Sequence, residues 1–511
     1  MTRTLRSMGP RRCSDPDERA RIIEWTAPWR EILGAREPSP PVAVGLYSAA
    51  IMNDCPARTH RSVLELIGQT PMLELHGLEA GLCQLFLKLE LQNPGGSVKD
   101  RIGLAMVEAA ERAGHVKPGG TLIEATSGNT GLALAMVARQ KGYRIIIVIP
   151  DKMSQEKIFH LRALGAEVVI TRSDVCKGHP AYYQDVAERI AKETPNSFYV
   201  NQFANPANPA AHEATTGPEI WEQLGHRVDA VVAGVGSGGT ITGVARFFAK
   251  VSPHTRIVLA DPKGSVLAHA VTTGEVGQAG SWLVEGIGED FVPPACELPL
   301  VHEAIEVTDA ESFAAARELV RTSGLLTGSS TGTLLAAALK YCRAQTEPKR
   351  VVTFAPDSGN KYLSKMYNDY WMIDQGFSRR ESYGDLRDLI ARRQAEHAVI
   401  SVSPEDALSM AYSRMKLYDV SQLPVLREDK IVGIIDESDV LLAVFRRAEN
   451  FKEAVARYMT SSLHTLPPSA SIDSLLPLFE AGHVAIVADA ERFHGLITRI
   501  DLLNYLRRRI P

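Results

Sequence analysis

The sequence predicts an α/β protein with mostly parallel sheets, followed by a smaller α/β module built on an internal repeat. Three observations point there. Between residues 59 and 374, short apolar runs alternate with stretches of helical period. Several joints between them crowd glycines and hydroxyl residues. Beyond residue 385, one segment recurs about 60 residues later.

Residues 1–58 stand apart from this pattern. They hold a Pro-rich stretch, Glu37 to Pro41, and no sustained apolar period. Arg-rich at first, they turn acidic at Asp15, Asp17 and Glu18, and contain no apolar signal-peptide core. They read as a flexible extension, with Met52 a second candidate start and a transit peptide the weaker alternative.

From residue 59 to 374 the expected strands are Leu85–Leu91, Thr121–Ile123, Tyr143–Pro150, Ala166–Thr171, Asp229–Gly236, Arg256–Asp261 and Arg350–Pro356. Their near-continuous apolar character suits a parallel sheet covered on both faces. Residues 375–385 are polar and contain Gly, as a linker does, and 386–511 form the repeated module.

Composition excludes several classes of function. Net charge is −4, so no global basic field suggests nucleic acid. No apolar run is long enough to cross a bilayer. The six cysteines show no CxxC pairing, which argues against a disulfide framework or a zinc site and suits a reducing, cytoplasmic setting.

The chemistry centres on Lys99. The segment Asn93-Pro-Gly-Gly96 breaks the first strand, and after Ser97 the apolar residues Ile102, Ala105, Met106 and Ala109 recur at helical spacing. Lys99 therefore sits at a strand–turn–helix mouth, where burial lowers an amine's pKa and fits it for a Schiff base. Taken alone it is equally a solvated lysine at a helix start. The other joints change that. Glu124-Ala-Thr-Ser-Gly-Asn-Thr-Gly131 opens a helix with four side chains suited to an anion, Thr126, Ser127, Asn129 and Thr130, where a plain N-cap needs one. Gly234-Val-Gly-Ser-Gly-Gly-Thr240 follows a strand and can cradle a phosphate through its amides. No acidic ribose hook follows, so a single phosphate suits it better than a dinucleotide. Thr327-Gly-Ser-Ser-Thr-Gly332 opens a third helix.

A lysine, a carboxylate loop, a phosphate loop and a hydroxyl cluster together resemble the fold-type II pyridoxal-phosphate enzymes, in the cysteine synthase and cystathionine β-synthase group. The matching stretches are Asn93–Arg101, Glu124–Gly131, Asp151–Val168, Asn205–Trp221, Gly234–Gly243, Val284–Phe291 and Pro356–Met372. The resemblance implies a two-subdomain catalytic core over 59–374, working as a homodimer or higher homo-oligomer. It implies that Lys99 carries pyridoxal phosphate and later shuttles the proton. Asn129 would bond the cofactor's 3-hydroxyl, Gly236, Ser237, Gly238, Gly239 and Thr240 its phosphate, and Ser330 its pyridine nitrogen. Thr126, Ser127, Thr130 and Gln202 would hold the substrate carboxylate. A serine at the ring nitrogen makes a weaker electron sink, which suits β-elimination over transamination.

In the tail, Ile431–Leu442 recurs as Phe493–Leu503. A helix and a strand precede each copy: Ala407–Leu417 with Gln422–Leu426, then Ile472–Ala481 with Val484–Val487. The spacing resembles a tandem CBS-domain pair, which implies an adenosyl ligand such as S-adenosylmethionine with Asp439 and Asp501 on ribose hydroxyls. Thr498 would face the ligand's phosphate side, where the first copy has Asp436. A dimerisation domain with an empty cleft is the plainer alternative.

The tail and the Asn368-Asp369-Tyr-Trp371-Met372 signature favour the cystathionine β-synthase family, whose members condense L-serine with L-homocysteine in transsulfuration and can release hydrogen sulfide. Phe203, where many of that family have Tyr, leans instead toward cysteine synthase, which uses O-acetylserine and sulfide. An inactive adenosyl-sensing scaffold is a third reading, opposed by the intact Lys99 and phosphate loop. No metal site is expected, and no haem: Cys13 has no nearby His, and Cys55 with His60 forms the only close pair.

Overall fold

The computed structural model describes residues 59–126, 128–151, 155–175 and 178–507. The N-terminal extension 1–58, and with it Cys13 and Cys55, on which the expectation of no haem rests, lies outside these residues. From His60 onward the chain folds as one unit.

The strands are β1 (Met72–Glu74), β2 (Gln84–Lys88), β3 (Thr121–Ala125), β4 (Arg144–Pro150), β5 (Glu167–Thr171), β6 (Ser197–Tyr199), β7 (Ala230–Ala233), β8 (Arg256–Pro262), β9 (Glu303–Val307) and β10 (Arg350–Phe354). They build two sheets. One has six strands in the order β1-β2-β10-β7-β8-β9, parallel except for β1, which pairs antiparallel with β2. The other has four parallel strands in the order β5-β4-β3-β6. Each owns a core. Val231, Val232, Leu259, Val351 and Val352 anchor the first; Leu122, Leu134, Ile145 and Ile147 anchor the second. Central strands such as β7 are buried along their whole length, so their sequence reads as a continuous apolar run rather than an alternation.

Several expected boundaries move. The strand expected over Leu85–Leu91 stops at Lys88, where the chain turns into a short 3-10 helix, Glu90–Gln92. Beyond it Gly96 takes a φ of +77°, which glycine adopts without steric cost. The strand expected over Asp229–Gly236 spans only Ala230–Ala233, because the glycine loop begins earlier. Short strands β1, β6 and β9 carry too few residues for a period to stand out.

In the tail, β11 (Gln422–Arg427) pairs with β12 (Lys430–Asp436), and β13 (Thr465–Leu466), β14 (Ala485–Ala488) and β15 (Phe493–Ile497) form a second small sheet. The helices that follow β12 and β15 are Glu437–Arg446 and Arg499–Arg507. The helix expected over Ile472–Ala481 is instead a 3-10 turn, Ile472–Ser474, followed by the helix Leu475–Glu480. A seam of Leu426, Ile486 and Phe493 joins the two repeats.

A buried ionic cluster fixes the start of the helix Lys99–Arg112. Arg101 donates to both Glu90 carboxylate oxygens at 2.8 Å and to both Glu219 oxygens at 2.6 and 2.7 Å. Lys88, fully buried, donates to Glu219 at 2.7 Å, to the Thr70 carbonyl at 2.6 Å and to Gln223 at 2.9 Å. Burial alone would raise the Glu219 carboxyl, but Arg101 and Lys88 outweigh it and hold it down at about 2. That depressed value stabilises the fold above the carboxyl's unfolded pKa, and the contribution is lost as pH falls through about 2. Arg101→Met leaves Glu90 buried without its partner. The expected cost is about 3–5 kcal/mol of stability, measured by chemical denaturation; a change below 1 kcal/mol would show that the cluster rearranges freely.

Candidate active site

The three loops singled out above meet in a cleft between the two sheets: Asn129 after β3 bonds Asp357 after β10, whose carbonyl accepts from the Gly328 N–H at 3.0 Å, and Gly236 after β7 lies against Gly286. Lys99 is the first residue of its helix; its N–H donates to Ser97 Oγ at 3.3 Å. Asp100 ties the turn by accepting from the Gly95 N–H. Gly95 has no room for a side chain, since a Cβ would lie 2.5 Å from Asp100 Oδ1. Lys99 keeps partial solvent access along the cleft while protein surrounds it. That desolvation lowers its pKa, against the opposing pull of Asp357 and Glu289. A lowered amine is what both imine formation and proton transfer require.

The loop after β7 answers whether a phosphate group fits. A Cβ on Gly236 would lie 2.5 Å from the Gly286 carbonyl. On Gly238, whose φ is +86°, it would lie 2.5 Å from Cys296 Cβ, and on Gly239 it would overlap Asn208 Oδ1. Bare backbone is thus compulsory where the helix Gly239–Val251 begins, and its first amides are free for an anion. Ser237 Oγ accepts from Asn208 Nδ2 at 2.9 Å, and Thr240 Oγ1 lies 3.2 Å from His212 Nε2. Burial drops His212 to about 3, so its ring stays neutral.

The hydroxyl loop after β3 gathers as expected in part. Thr130 Oγ1 donates to Gln202 Oε1 at 2.6 Å, and both residues are buried. Thr126 is buried beside them, its Oγ1 3.5 Å from the Gly128 N–H. Ser127 lies outside the described residues. Asn129 donates to Asp357 Oδ2 at 2.8 Å and accepts from Lys361 Nζ. Ser330 is buried in the first turn of the helix Ser329–Arg343, and its hydroxyl has no partner among the described residues.

Sequence reasoning missed the groups behind these. Asp357 accepts from Asn129 and, at 2.9 Å, from the Tyr362 hydroxyl, while its Oδ1 is buried without a partner. Lys157, on the helix Gln155–Ala163 beside the four-stranded sheet, pairs with Glu285 from the opposite side, and Lys365, which follows β10, pairs with it from its own side. Burial would raise Glu285, but the two lysines overcome it and lower its pKa. All of these lie in the stretches Asp151–Val168, Val284–Phe291 and Pro356–Met372, and only long-range pairing reveals them.

Residues 63–357 match the family of pyridoxal-phosphate dependent enzymes, and 387–446 and 455–508 match the CBS domain. The cystathionine beta-synthase of Dictyostelium discoideum is 37% identical over 464 residues, covering 87% of this chain and 92% of that protein. The chain belongs to the cystathionine beta-synthase family. Two further members agree: that of Mus musculus, 37% identical over 88% of this chain and 86% of its own, and that of Saccharomyces cerevisiae, 34% identical over 88% and 98%. Among solved structures, the O-acetylserine dependent cystathionine beta-synthase from Helicobacter pylori shares 37% identity at a TM-score of 0.56, covering 60% of this chain and 98% of that one. A hydrogen sulfide-producing enzyme from Fusobacterium nucleatum shares 35% at 0.56, covering 60% and 100%.

As in its family, the tail is a CBS pair, and its two repeats differ. Thr498 and Asp501 line a cavity of about 690 Å³ together with Asp419, Ser421 and His483. Asp501 Oδ2 accepts from the Thr498 N–H at 2.7 Å and from its hydroxyl. Asp439 instead caps its own helix reciprocally with Asp436, at 2.8 and 3.1 Å, and does not line that cavity. Arg507 donates to Asp374 at 2.9 Å, linking the last helix to the end of the catalytic region. Among the described residues no helix is long and apolar enough to cross a membrane, and no cluster of three or more His, Cys, Asp or Glu could hold a metal.

Gly239→Ala tests the phosphate loop. The added methyl displaces Asn208 and the loop amides with it, so cofactor affinity should drop at least tenfold, read by titrating the cofactor's absorbance into apo-protein. Unchanged affinity would remove this loop from the phosphate site.

Proposed function

We propose that this chain condenses L-serine with L-homocysteine to give L-cystathionine and water. One observation carries the reading: its likeness to relatives named cystathionine beta-synthase runs through the catalytic layers and the repeated tail together. Pyridoxal phosphate, when bound, supplies the electron sink that acidifies the serine Cα–H and loosens its β-substituent. The chain's own residues do the rest. Amides of Gly236, Ser237, Gly238, Gly239 and Thr240 hold the phosphate, Asn129 the 3-hydroxyl and Ser330 the ring nitrogen. Thr126, Ser127, Thr130 and Gln202 hold the amino acid's carboxylate, and the Lys99 amine takes the Cα proton and later returns it. The Lys157–Glu285 pair ties the two sides of the site, and Lys365 holds Glu285 from its own side.

O-acetylserine with sulfide is the second reading, favoured by Phe203 and by the O-acetylserine dependence named for the Helicobacter pylori relative. Comparing kcat/KM for the four pairings of L-serine or O-acetylserine with homocysteine or sulfide separates them. Serine with homocysteine should lead; a strong preference for O-acetylserine with sulfide moves the chain to cysteine synthase. In the same preparation Lys99→Ala should lose the cofactor's visible band and all turnover, and wild type should show no Soret band, since no haem is proposed.

The CBS pair is proposed to take an adenosyl ligand, with Asp501 on ribose and Thr498 beside it, and to alter activity or stability. In the first repeat Asp436 stands where Thr498 stands in the second. A carboxylate there repels phosphate and tolerates a sulfonium, so S-adenosylmethionine should bind more tightly than ATP. Calorimetric titration with S-adenosylmethionine, AMP and ATP measures the order. ATP binding more tightly would overturn the Asp436 argument. No heat from any ligand, with activity unchanged after truncation at residue 375, would leave the pair purely structural.

A further inference from the structure

Glu289 belongs to the loop Val284–Phe291, which lies against the loop after β7: the Gly288 N–H donates to the Val235 carbonyl at 2.8 Å. Its backbone is held firmly: its N–H donates to Ser265 Oγ at 3.1 Å, and its carbonyl accepts from the Val266 N–H at 3.0 Å. The side chain has no such partner. Its carboxyl makes no hydrogen bond among the described residues and lies 4.0 Å from where a Cβ on Gly236 would stand. It is near enough to Lys99 for each to bias the other's charge. Tyr182 and Tyr183 face it from the side of the four-stranded sheet, and both hydroxyls are raised chiefly by burial, so they stay protonated.

Burial is also the main cause that pushes Glu289 up to about 8; Asp290 and Asp261 add to it and Lys99 opposes it. A phosphate held on the neighbouring loop would push the same way. The carboxyl therefore holds a proton at neutral pH, within the reaction cleft, and gives it to no protein group. Three other buried carboxyls are raised: Asp100, Glu124 and Asp261. Asp100 accepts from the Gly95 N–H and Asp261 from the Ala268 N–H at 2.8 Å; Glu124, whose oxygens also lack a partner among the described residues, lies inside the four-stranded sheet and has no charge interaction with Lys99.

Serine poses a problem that such a proton solves. Hydroxide is a poor leaving group, and Lys99 must be unprotonated to take the Cα proton, so the proton for the departing oxygen is best held elsewhere. We propose that Glu289 is a second acid–base group of this site, protonating the β-hydroxyl of serine as the Cβ–O bond breaks and recovering a proton from the incoming thiol. This rests on the reading that serine is the donor. The steps balance. Lys99 takes the Cα proton, the Cβ–O bond breaks, and the oxygen leaves as water with the proton of Glu289. The thiol then passes its S–H proton to the Glu289 carboxylate as the S–Cβ bond forms, and Lys99 returns its proton to Cα. The sum is amino acid plus thiol giving thioether plus water.

Acetate leaves without a proton, and that separates the roles. With homocysteine as acceptor, Glu289→Gln should lower kcat with L-serine by about 100-fold or more, within the range of a lost general acid. The ratio of kcat with O-acetylserine to kcat with L-serine should rise by a similar factor. Glu289→Asp should restore part of the serine rate. Wild-type kcat with serine should fall as pH rises through about 8, because the acid form is lost, and Glu289→Gln should lack that limb. Infrared titration of the cofactor-free protein reads the proton directly: a protonated-carboxyl band lost near pH 8 in wild type and missing from Glu289→Gln, whose cofactor absorbance after reloading reports its fold. Equal slowing with both donors, or a Glu289 that titrates in the ordinary carboxylate range, overturns the assignment. Failure of the serine reading looks different, because wild type alone would then decline serine; the proposal falls with it, having no hydroxyl to protonate.

Discussion

Two residues beyond Lys99, Arg101 lies buried between Glu90 and Glu219, with Lys88 on the far side of Glu219. These four groups come from the end of β2, the short 3-10 turn, the first turn of the Lys99 helix and the helix Gly217–Gln223, which packs into the core of the six-stranded sheet. Buried charges persist only where partners and geometry are complete. The cluster therefore tolerates few arrangements, and it dictates where the helix begins. Were Arg101 to shift, Lys99 would shift with it, since both ride on the same first turn. The desolvation that lowers the Lys99 amine depends on that placement.

Around this fixed start, the site is assembled from opposite sides of a cleft. The six-stranded layer contributes the phosphate loop and the wall with Glu285 and Glu289; the four-stranded layer contributes the hydroxyl loop and Lys157. Asn129 and Asp357 meet over 228 residues of sequence, and Lys157 and Glu285 over 128. Such pairings give the cleft a definite width, which loops alone would not.

That division also explains what was legible in the sequence. Lys99 stood out because alternation gave way to helical spacing within a few residues and because three further loops, rich in glycine and hydroxyls, accompanied it. The glycine loop was readable because bare backbone at Gly236, Gly238 and Gly239 is demanded by close neighbours that no side chain could pass. The parallel strands were readable from apolar runs, and the tail from its repetition. Asp357 and Lys361 were not, although they stood in a quoted stretch: an acid and a lysine in a polar loop look like surface until their partner, Asn129, is folded against them. Glu289 was hidden because nothing in its own stretch shows that it folds beside Lys99, and Asp439 and Asp501, which both accept from the N–H three residues earlier, are told apart by the cavity that Asp501 lines.

The two repeats of the tail end differently. The position of Arg507, which grips Asp374, is held in the first repeat by Phe445, and that ring is 85% exposed. An internal duplication starts with two interchangeable copies. Here one copy has become an anchor and the other presents a bare outer face, so the same helix position ties the module to the catalytic region in one repeat and meets solvent in the other.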